Sequence, residues 1–184
     1  MSIDKLKANY PVRVHWVHFP LHPETPPEGK SLAELFAGRN IEPMRERMRT
    51  LMQEAGLPYG DRTHTYNSRL AQELGAWADT QPGGDKLHDA LYRAYFAEAV
   101  NIADMEKLVD IAGKVGLDRE AAREVLQTRS FRAVVDADWQ RSRAAGVTGV
   151  PTFTHNDLMV VGCQPYELLE RFVQHIISDQ SREA

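Results

Sequence analysis

The chain has 184 residues, 42% of them hydrophobic and 26% charged, with a formal net charge of −4. This composition is typical of a globular protein with a substantial core, and the lack of basic excess argues against a nucleic-acid partner. No apolar run is long enough to span a bilayer, and residues 1–7 lack the apolar core of a signal peptide. We therefore predict a cytoplasmic protein with no membrane partner.

The cysteine count limits the chemistry of the chain. Cys163 is the only cysteine, so no intrachain disulfide and no cysteine-based metal site can form. His15, His18 and His22 lie close together in the sequence, but residues three apart on a strand point to opposite faces. We predict ordinary surface or packing histidines, no metal site and no cofactor.

The first thirty residues predict a helix, a strand and a loop. Apolar residues fall on one side of 2–9, which indicates a helix, and Pro11 stops it. The run 12–19 has apolar residues on both faces, which is typical of an interior strand that is covered on two sides. The segment 21–30 is rich in proline and predicts a loop.

Residues 31–145 predict a block of helices. Ser31 and Glu34 have the spacing of a capping box at the start of a short helix. Further helices are predicted over 41–55, from 67 or 68 to 78, over 85–100, 104–115 and 118–126, and from 128 or 130 to 145. The apolar stripe of 41–55, formed by Ile41, Met44, Met48, Leu51 and Met52, is expected to face inward.

The C-terminal part predicts a loop, a hairpin and a helix. Strands are predicted at 151–155 and 158–161, followed by a helix over 166–177 and a frayed tail over 178–184. The Val150–Pro151 bond is a candidate cis peptide, because the tertiary amide reduces the trans preference to about 0.5–1 kcal/mol. Such a loop holds backbone N–H and C=O groups at a fixed edge, which suits an extended peptide or a small thiol. A tight helix-to-strand connection is the alternative.

The order of elements indicates the fold class. A helix and a strand are followed by about six helices, then by two strands and a last helix. Long helical blocks between strands of one sheet are usually insertions. We predict an α/β fold with a large helical insertion.

Several of these motifs together resemble a known family. The loop 146–153, the hairpin, the run VGCQPY at 161–166 and the last helix resemble the C-terminal half of a DsbA-like thioredoxin domain. The loop around Phe19-Pro20-Leu21 with PPEG at 26–29, and the helix that begins NSRLA at 67–71, resemble its cytosolic branch. That branch includes polyketide-associated thiol–disulfide oxidoreductases. It shares its fold with 2-hydroxychromene-2-carboxylate isomerases and kappa-class glutathione transferases.

The resemblance implies one DsbA-like domain over 1–184, with the thioredoxin-like part at 1–19 and 146–184 and the helical insertion at 31–145. Members of the family open with a strand followed by Cys-x-x-Cys at a helix N-terminus, where the thiol pKa is lowered. This sequence contains no such pair, so the resemblance implies that the first strand is absent and that no catalytic cysteine pair is present. It also implies that Val150, Pro151 and Thr152 form the active-site loop. Cys163, just before the last helix, is either a reactive thiol or a small packed residue.

Three functions follow from this resemblance. The first is a DsbA-family thiol–disulfide oxidoreductase-like protein without its own Cys-x-x-Cys, whose catalytic element is encoded upstream of Met1. The second is a glutathione-dependent isomerase or transferase of the same fold, and the third is a non-catalytic binding module. The implied partners are a thiol or disulfide substrate, either a protein or a small molecule such as glutathione.

The missing strand has a physical consequence. In a thioredoxin-like sheet it lies between the strand predicted at 12–19 and the strand predicted at 151–155. Without it, both strands expose hydrogen-bonding edges and apolar faces. We therefore expect a chain that is poorly stable, aggregates, or pairs with further copies as a homo-oligomer.

Overall fold

The computed structural model describes residues 2–37 and 39–183, apart from the side chains of Ser2 and of residues 180–183. Its helices are α1 Ser2–Asn9, α2 Leu32–Leu35, α3 Glu42–Glu54, α4 Arg69–Ala78, α5 Lys86–Phe96, α6 Met105–Lys114, α7 Arg119–Thr128, α8 Arg132–Ala144 and α9 Tyr166–Glu183. Its strands are β1 Lys30–Ser31, β2 His64–Thr65, β3 Thr152–His155 and β4 Leu158–Val161. β1 pairs with β2 and β3 pairs with β4, both antiparallel. None of the described helices has the length and apolar character needed to cross a membrane.

The chain divides into two compact units. Met1–Leu21 and Asp138–Ala184 form one, here called the hairpin unit because it contains β3 and β4. His22–Ala137 forms the other, here called the helical unit.

The helical unit has a large apolar core. α4 packs against α5, α6 and α7, and Leu74, Leu87 and Leu108 are fully buried among them. Aspartates begin two of these helices, as the sequence predicts: the Asp104 side chain accepts hydrogen bonds from two backbone N–H groups of α6, and Asp118 does the same for α7. The capping box of Ser31 and Glu34 is also confirmed. Local capping and a shared apolar face therefore define this unit.

The hairpin unit has a much smaller core. α1 packs against α9, where Leu6, Leu169 and Val173 are buried. Phe153 of β3 and Val160 of β4 are paired across the hairpin and pack partly buried against this cluster. The other face of the hairpin stays exposed, so the unit buries few apolar side chains.

The predicted strand over 12–19 does not form, and this prediction was wrong. Residues 11–20 run without helix, strand, turn or bend, and residues 13–17 are all exposed. Val14, Trp16 and Val17 are 40%, 43% and 38% exposed, although both faces were expected to be covered. The physical reason is that no described strand lies beside this segment, and a strand without a partner has no ladder to stabilise it.

Three helices also differ from the prediction. The α3 stripe was expected to face inward, yet Met44, Met48 and Leu51 are exposed and α3 has no buried residue. α5 ends at Phe96 instead of reaching residue 100, because Ala99 adopts a left-handed conformation with φ 54°. α9 continues to Glu183 where a frayed tail was expected, and Ala184 lies outside the described residues.

Candidate functional site

The candidate site is the loop that connects α8 to β3. After α8 ends, Gly146 takes a left-handed conformation with φ 70°, which glycine adopts without steric cost. The Val147 N–H then donates to the Ser142 carbonyl at 3.0 Å and closes the end of the helix. The peptide bond between Val150 and Pro151 is cis. Val150 is 51% exposed, so this part of the loop is open to solvent.

Two hydrogen bonds fix the loop. The Thr152 hydroxyl donates to the Gly149 carbonyl at 2.7 Å, and the Gly162 N–H donates to the Pro151 carbonyl at 2.7 Å. The second bond extends the hairpin, in which Thr152 pairs with Val161, by one further position. Within the described part of the chain, neither the N–H nor the C=O of Val150 bonds to another backbone group. The loop is therefore held in place while the backbone of Val150 is left available.

The structure brings Cys163 to the same end of the hairpin. It follows Gly162, the residue bonded to Pro151, and it lies in the turn between β4 and α9. Its side chain is exposed, so the interpretation of Cys163 as a small packed residue was wrong. The Gln164 side chain donates to the Val161 carbonyl at 2.7 Å and shapes this turn. The loop residues Val150–Thr152 and the one thiol of the chain are thus near neighbours along the hairpin.

A polar cluster that sequence reasoning missed lies elsewhere in the hairpin unit. Asp138 Oδ2 accepts from the His18 backbone N–H at 3.1 Å and lies 2.9 Å from His18 Nδ1. The Ser142 hydroxyl donates to the His18 carbonyl at 3.2 Å. Asp138 and Ser142 are both buried. They are four residues apart and so share one face of α8. The spacing of these two polar residues is the sequence signal that could have indicated a polar cluster on α8.

His18 and His22 each lie beside a carboxylate. His18 is held by Asp138, and His22 Nδ1 lies 3.6 Å from Glu24 Oε1 at the surface. No group of three or more candidate ligand side chains comes together among the residues that the structure describes.

Comparison with known proteins identifies the family. The chain belongs to the DSBA-like thioredoxin domain family, which it matches over residues 1–174. It is similar to a probable DsbA oxidoreductase from Streptomyces coelicolor, with 28% identity and a TM-score of 0.84 over 95% of this chain and 81% of that one. A Bacillus subtilis (strain 168) protein named YwbO is 27% identical over 93% of this chain and 84% of its own length. The predicted family and α/β fold class are therefore confirmed.

More distant structures share the fold alone. A 2-hydroxychromene-2-carboxylate isomerase is 18% identical with a TM-score of 0.75, over 99% of this chain and 90% of that one. The cytosolic disulfide reductase DsbM from Pseudomonas aeruginosa, in a structure with glutathione, is 20% identical with a TM-score of 0.54. That alignment covers 78% of this chain and 81% of that one.

Proposed function

We propose that this protein takes part in thiol–disulfide exchange and that its loop Val150–Thr152 holds the thiol or disulfide substrate. The observation that carries the proposal is the fixed loop whose Val150 backbone groups have no backbone partner in the described chain. An extended peptide, or the short peptide backbone of glutathione, can pair with such groups as a strand pairs with a sheet edge. Membership of the DSBA-like family supports this assignment.

A dithiol cycle of exchange needs a cysteine pair, which these 184 residues do not contain. In thiol–disulfide exchange a thiolate attacks one sulfur of a disulfide and the other sulfur leaves as a thiolate. A dithiol enzyme needs two cysteines for this cycle, and these 184 residues contain one. The function proposed for the described loop is therefore substrate binding.

Titration with oxidised glutathione tests this function. Backbone amide NMR signals of Gly149, Val150, Thr152 and Gly162 are expected to shift as the ligand pairs with the loop. The variant Val150→Pro removes the free N–H and should weaken binding about tenfold, the equivalent of one hydrogen bond. Val150→Ala keeps the N–H at the same position and should bind nearly as the wild type does.

Two results would contradict the proposal. One is a set of shifts that lies elsewhere and leaves the loop unaffected. The other is equal binding by Val150→Pro and Val150→Ala, which would show that the backbone of residue 150 has no part in recognition. A circular dichroism spectrum of each variant checks that the fold is retained.

The single cysteine favours a second candidate, a glutathione-dependent isomerase that needs no dithiol. In that case the loop binds reduced glutathione as a cofactor for rearranging another molecule. For such an isomerase the disulfide of oxidised glutathione adds nothing to binding. Equal affinity for reduced and oxidised glutathione would therefore favour this reaction. A clear preference for the oxidised form or for a disulfide-containing peptide would favour thiol–disulfide exchange.

A further inference from the structure

Arg62 of the helical unit is held in one orientation by its neighbours. Its Nη1 group donates hydrogen bonds to the His64 carbonyl at 3.0 Å and to the Tyr95 hydroxyl. Its guanidinium carbon lies 4.5 Å from the centroid of the Tyr95 ring and 5.5 Å from that of the Phe96 ring. The Tyr95 hydroxyl is fixed in turn by Thr65 Oγ1 at 3.0 Å. The plane of the guanidinium group is therefore set by contacts within the helical unit.

The charge of Arg62 is left without a carboxylate. Within the described residues its guanidinium group contacts a carbonyl, a hydroxyl and two rings, and it forms no ion pair. Its Nε atom is buried without a hydrogen-bond partner, and it is the one buried side-chain nitrogen or oxygen of the described chain in that condition. Nη2 makes no hydrogen bond there either, but it is not buried. Since Nε and Nη2 share one edge of the guanidinium plane, that edge lacks an acceptor.

The acidic residue next to Arg62 in the sequence is already engaged. Asp61 Oδ1 lies 2.5 Å from Arg49 Nη2 and 3.6 Å from Arg45 Nη2, both on α3. The hydrogen bond from Arg49 holds the pKa of Asp61 below its usual value, so Asp61 is charged and paired with α3. The rings beneath Arg62 attract its charge but accept no hydrogen bond at this edge. The edge therefore suits an anion that the described chain does not supply.

We propose that Arg62 binds the carboxylate of an external ligand through the edge that carries Nε and Nη2, with Nη2 as its solvent-facing end. The two oxygens of a carboxylate match the two N–H groups of this edge and form a bidentate pair. Arg45 and Arg49 are paired with Asp61, so Arg62 supplies a single positive charge. A singly charged carboxylate matches one arginine, whereas a phosphate group carries more charge and offers three acceptor oxygens.

The rings beside Arg62 indicate what adjoins the carboxylate. Phe96 stacks with Tyr92, with ring centroids 6.2 Å apart and planes inclined by 19°. Tyr92 is 54% exposed, so an open ring lies next to the ring that contacts Arg62. Tyrosine and arginine are among the residue types that contribute most at binding surfaces. The ligand is therefore a carboxylate with an adjoining apolar group, either a short-chain organic acid or the C-terminal residue of a peptide. This inference is independent of the function proposed for the loop Val150–Thr152.

NMR titration with hexanoate tests the site. Hexanoate should shift the Arg62 Nε–H signal, and hexanamide, its neutral analogue, should not. In the variants, the backbone amides of His64 and Phe96 report binding. Arg62→Gln removes the charge and should weaken hexanoate binding at least about tenfold, because hydrogen bonds between charged groups are strong. Arg93→Gln makes the same replacement at an exposed arginine of α5 and should bind as the wild type does.

Two further comparisons define the ligand. Tyr92→Ala shortens an exposed side chain and leaves Arg62 in place, so it should weaken binding of hexanoate but not of acetate. N-acetyl-leucine carries a carboxylate next to an apolar side chain, and N-acetyl-leucinamide is its uncharged control. Tighter binding of N-acetyl-leucine than of hexanoate indicates a peptide C-terminus, and the reverse order indicates a free organic acid.

Three results would overturn the proposal. The first is an Arg62 Nε–H signal that stays unshifted by hexanoate up to its solubility limit in the wild type. The second is equal binding of hexanoate and hexanamide, which would show that the carboxylate is not recognised. The third is an equal loss in Arg62→Gln and Arg93→Gln, which would reduce binding to general attraction between an anion and surface cations. Thermal melts check that each variant is folded, and the wild-type titrations decide the matter if Arg62→Gln is not.

Discussion

Glu73 is a buried charge within the helical unit. Its side chain has no solvent exposure, and its two carboxylate oxygens lie 2.6 Å from Arg69 Nε and 2.6 Å from Arg129 Nε. Arg129 sits just after α7 in a left-handed conformation with φ 55°. Burial raises the pKa of Glu73, but the hydrogen bonds from Arg129 and Arg69 outweigh this effect and hold the pKa below its usual value. Glu73 is therefore charged at neutral pH and links α4 to the end of α7.

Replacing Glu73 should destabilise the protein strongly. Glu73→Gln leaves two guanidinium groups without their buried carboxylate, and breaking such a pair typically costs about 3–5 kcal/mol. Urea unfolding should show a free energy of unfolding lower by about 3 kcal/mol. Glu120→Gln is the control, because the Glu120 side chain is 84% exposed and its ion pair with Arg123 should contribute less than about 1 kcal/mol. Similar losses in the two variants would contradict this role of Glu73.

Acid should remove the contribution of Glu73. Its pKa is lower in the folded protein than in the unfolded chain, so the stability that it provides is complete above the unfolded pKa. That stability is lost as the pH falls from about 4.3, the ordinary glutamate pKa, through the folded pKa. Urea midpoints of wild type and Glu73→Gln should therefore converge as the pH falls below this value. A difference that stays constant down to acidic pH would show that the charge is not responsible.

Sequence patterns predict the helices of the helical unit well, but they do not predict the structure of residues 12–19 or the exposure of the α3 stripe. Helix bounds within the helical unit follow closely from local signals such as Asp104 and Asp118, because capping and periodicity act within a few residues. The segment 12–19 has the composition of an interior strand, but a strand forms only beside a partner, and none is present in the described residues. Likewise the α3 stripe correctly predicts an amphipathic helix, yet its periodicity carries no information about what covers it.

The attachment of residues 11–20 to α8 can be tested by proteolysis. Asp138→Ala removes the carboxylate that binds His18, and hydrogen bonds to charged groups contribute about 1.5–3 kcal/mol. The released segment should be cut by trypsin after the exposed Arg13 at least about tenfold faster. Asp157→Ala, in the exposed turn of the same unit, should leave the rate unchanged. An unchanged rate in Asp138→Ala would mean that Asp138 does not hold this segment.

At the scale of the whole molecule, the two units have different cores. The helical unit buries apolar side chains from α4, α5, α6 and α7. In the hairpin unit, the buried apolar side chains among the described residues are Leu6, Leu169 and Val173. Local opening is easiest where few apolar contacts must break. The two units should therefore differ in local stability.

Hydrogen exchange followed by mass spectrometry can measure this difference. Amides of α4, α6 and α7 should exchange at least about tenfold more slowly than those of β3 and β4 under native conditions. The physical reason is the larger apolar area that must be exposed to open the helices. Equal protection in the two units would contradict the expectation and would indicate one cooperative structure.

The candidate site was predictable in part. Gly146, Gly149 and Pro151 mark a loop before a strand, and the family resemblance assigned Val150–Thr152 to the site. The pairing of Gly162 with Pro151, which places Cys163 beside this loop, depends on the hairpin register and not on any local motif. The contact of Asp138 with His18 joins residues 120 positions apart, so the spacing of the polar residues on α8 could not identify His18 as their partner.

The different burial of the tryptophans gives the protein its own optical probes. Trp77 is buried in the helical unit with 6% exposure, while Trp16 lies in the open middle of residues 11–20. Trp139 belongs to the hairpin unit and lies 6.0 Å from the Arg143 guanidinium. Fluorescence from Trp77 should be blue-shifted and protected from iodide, and that from Trp16 should be red-shifted and easily quenched. Single-tryptophan variants would then report the unfolding of each unit separately, without any added label.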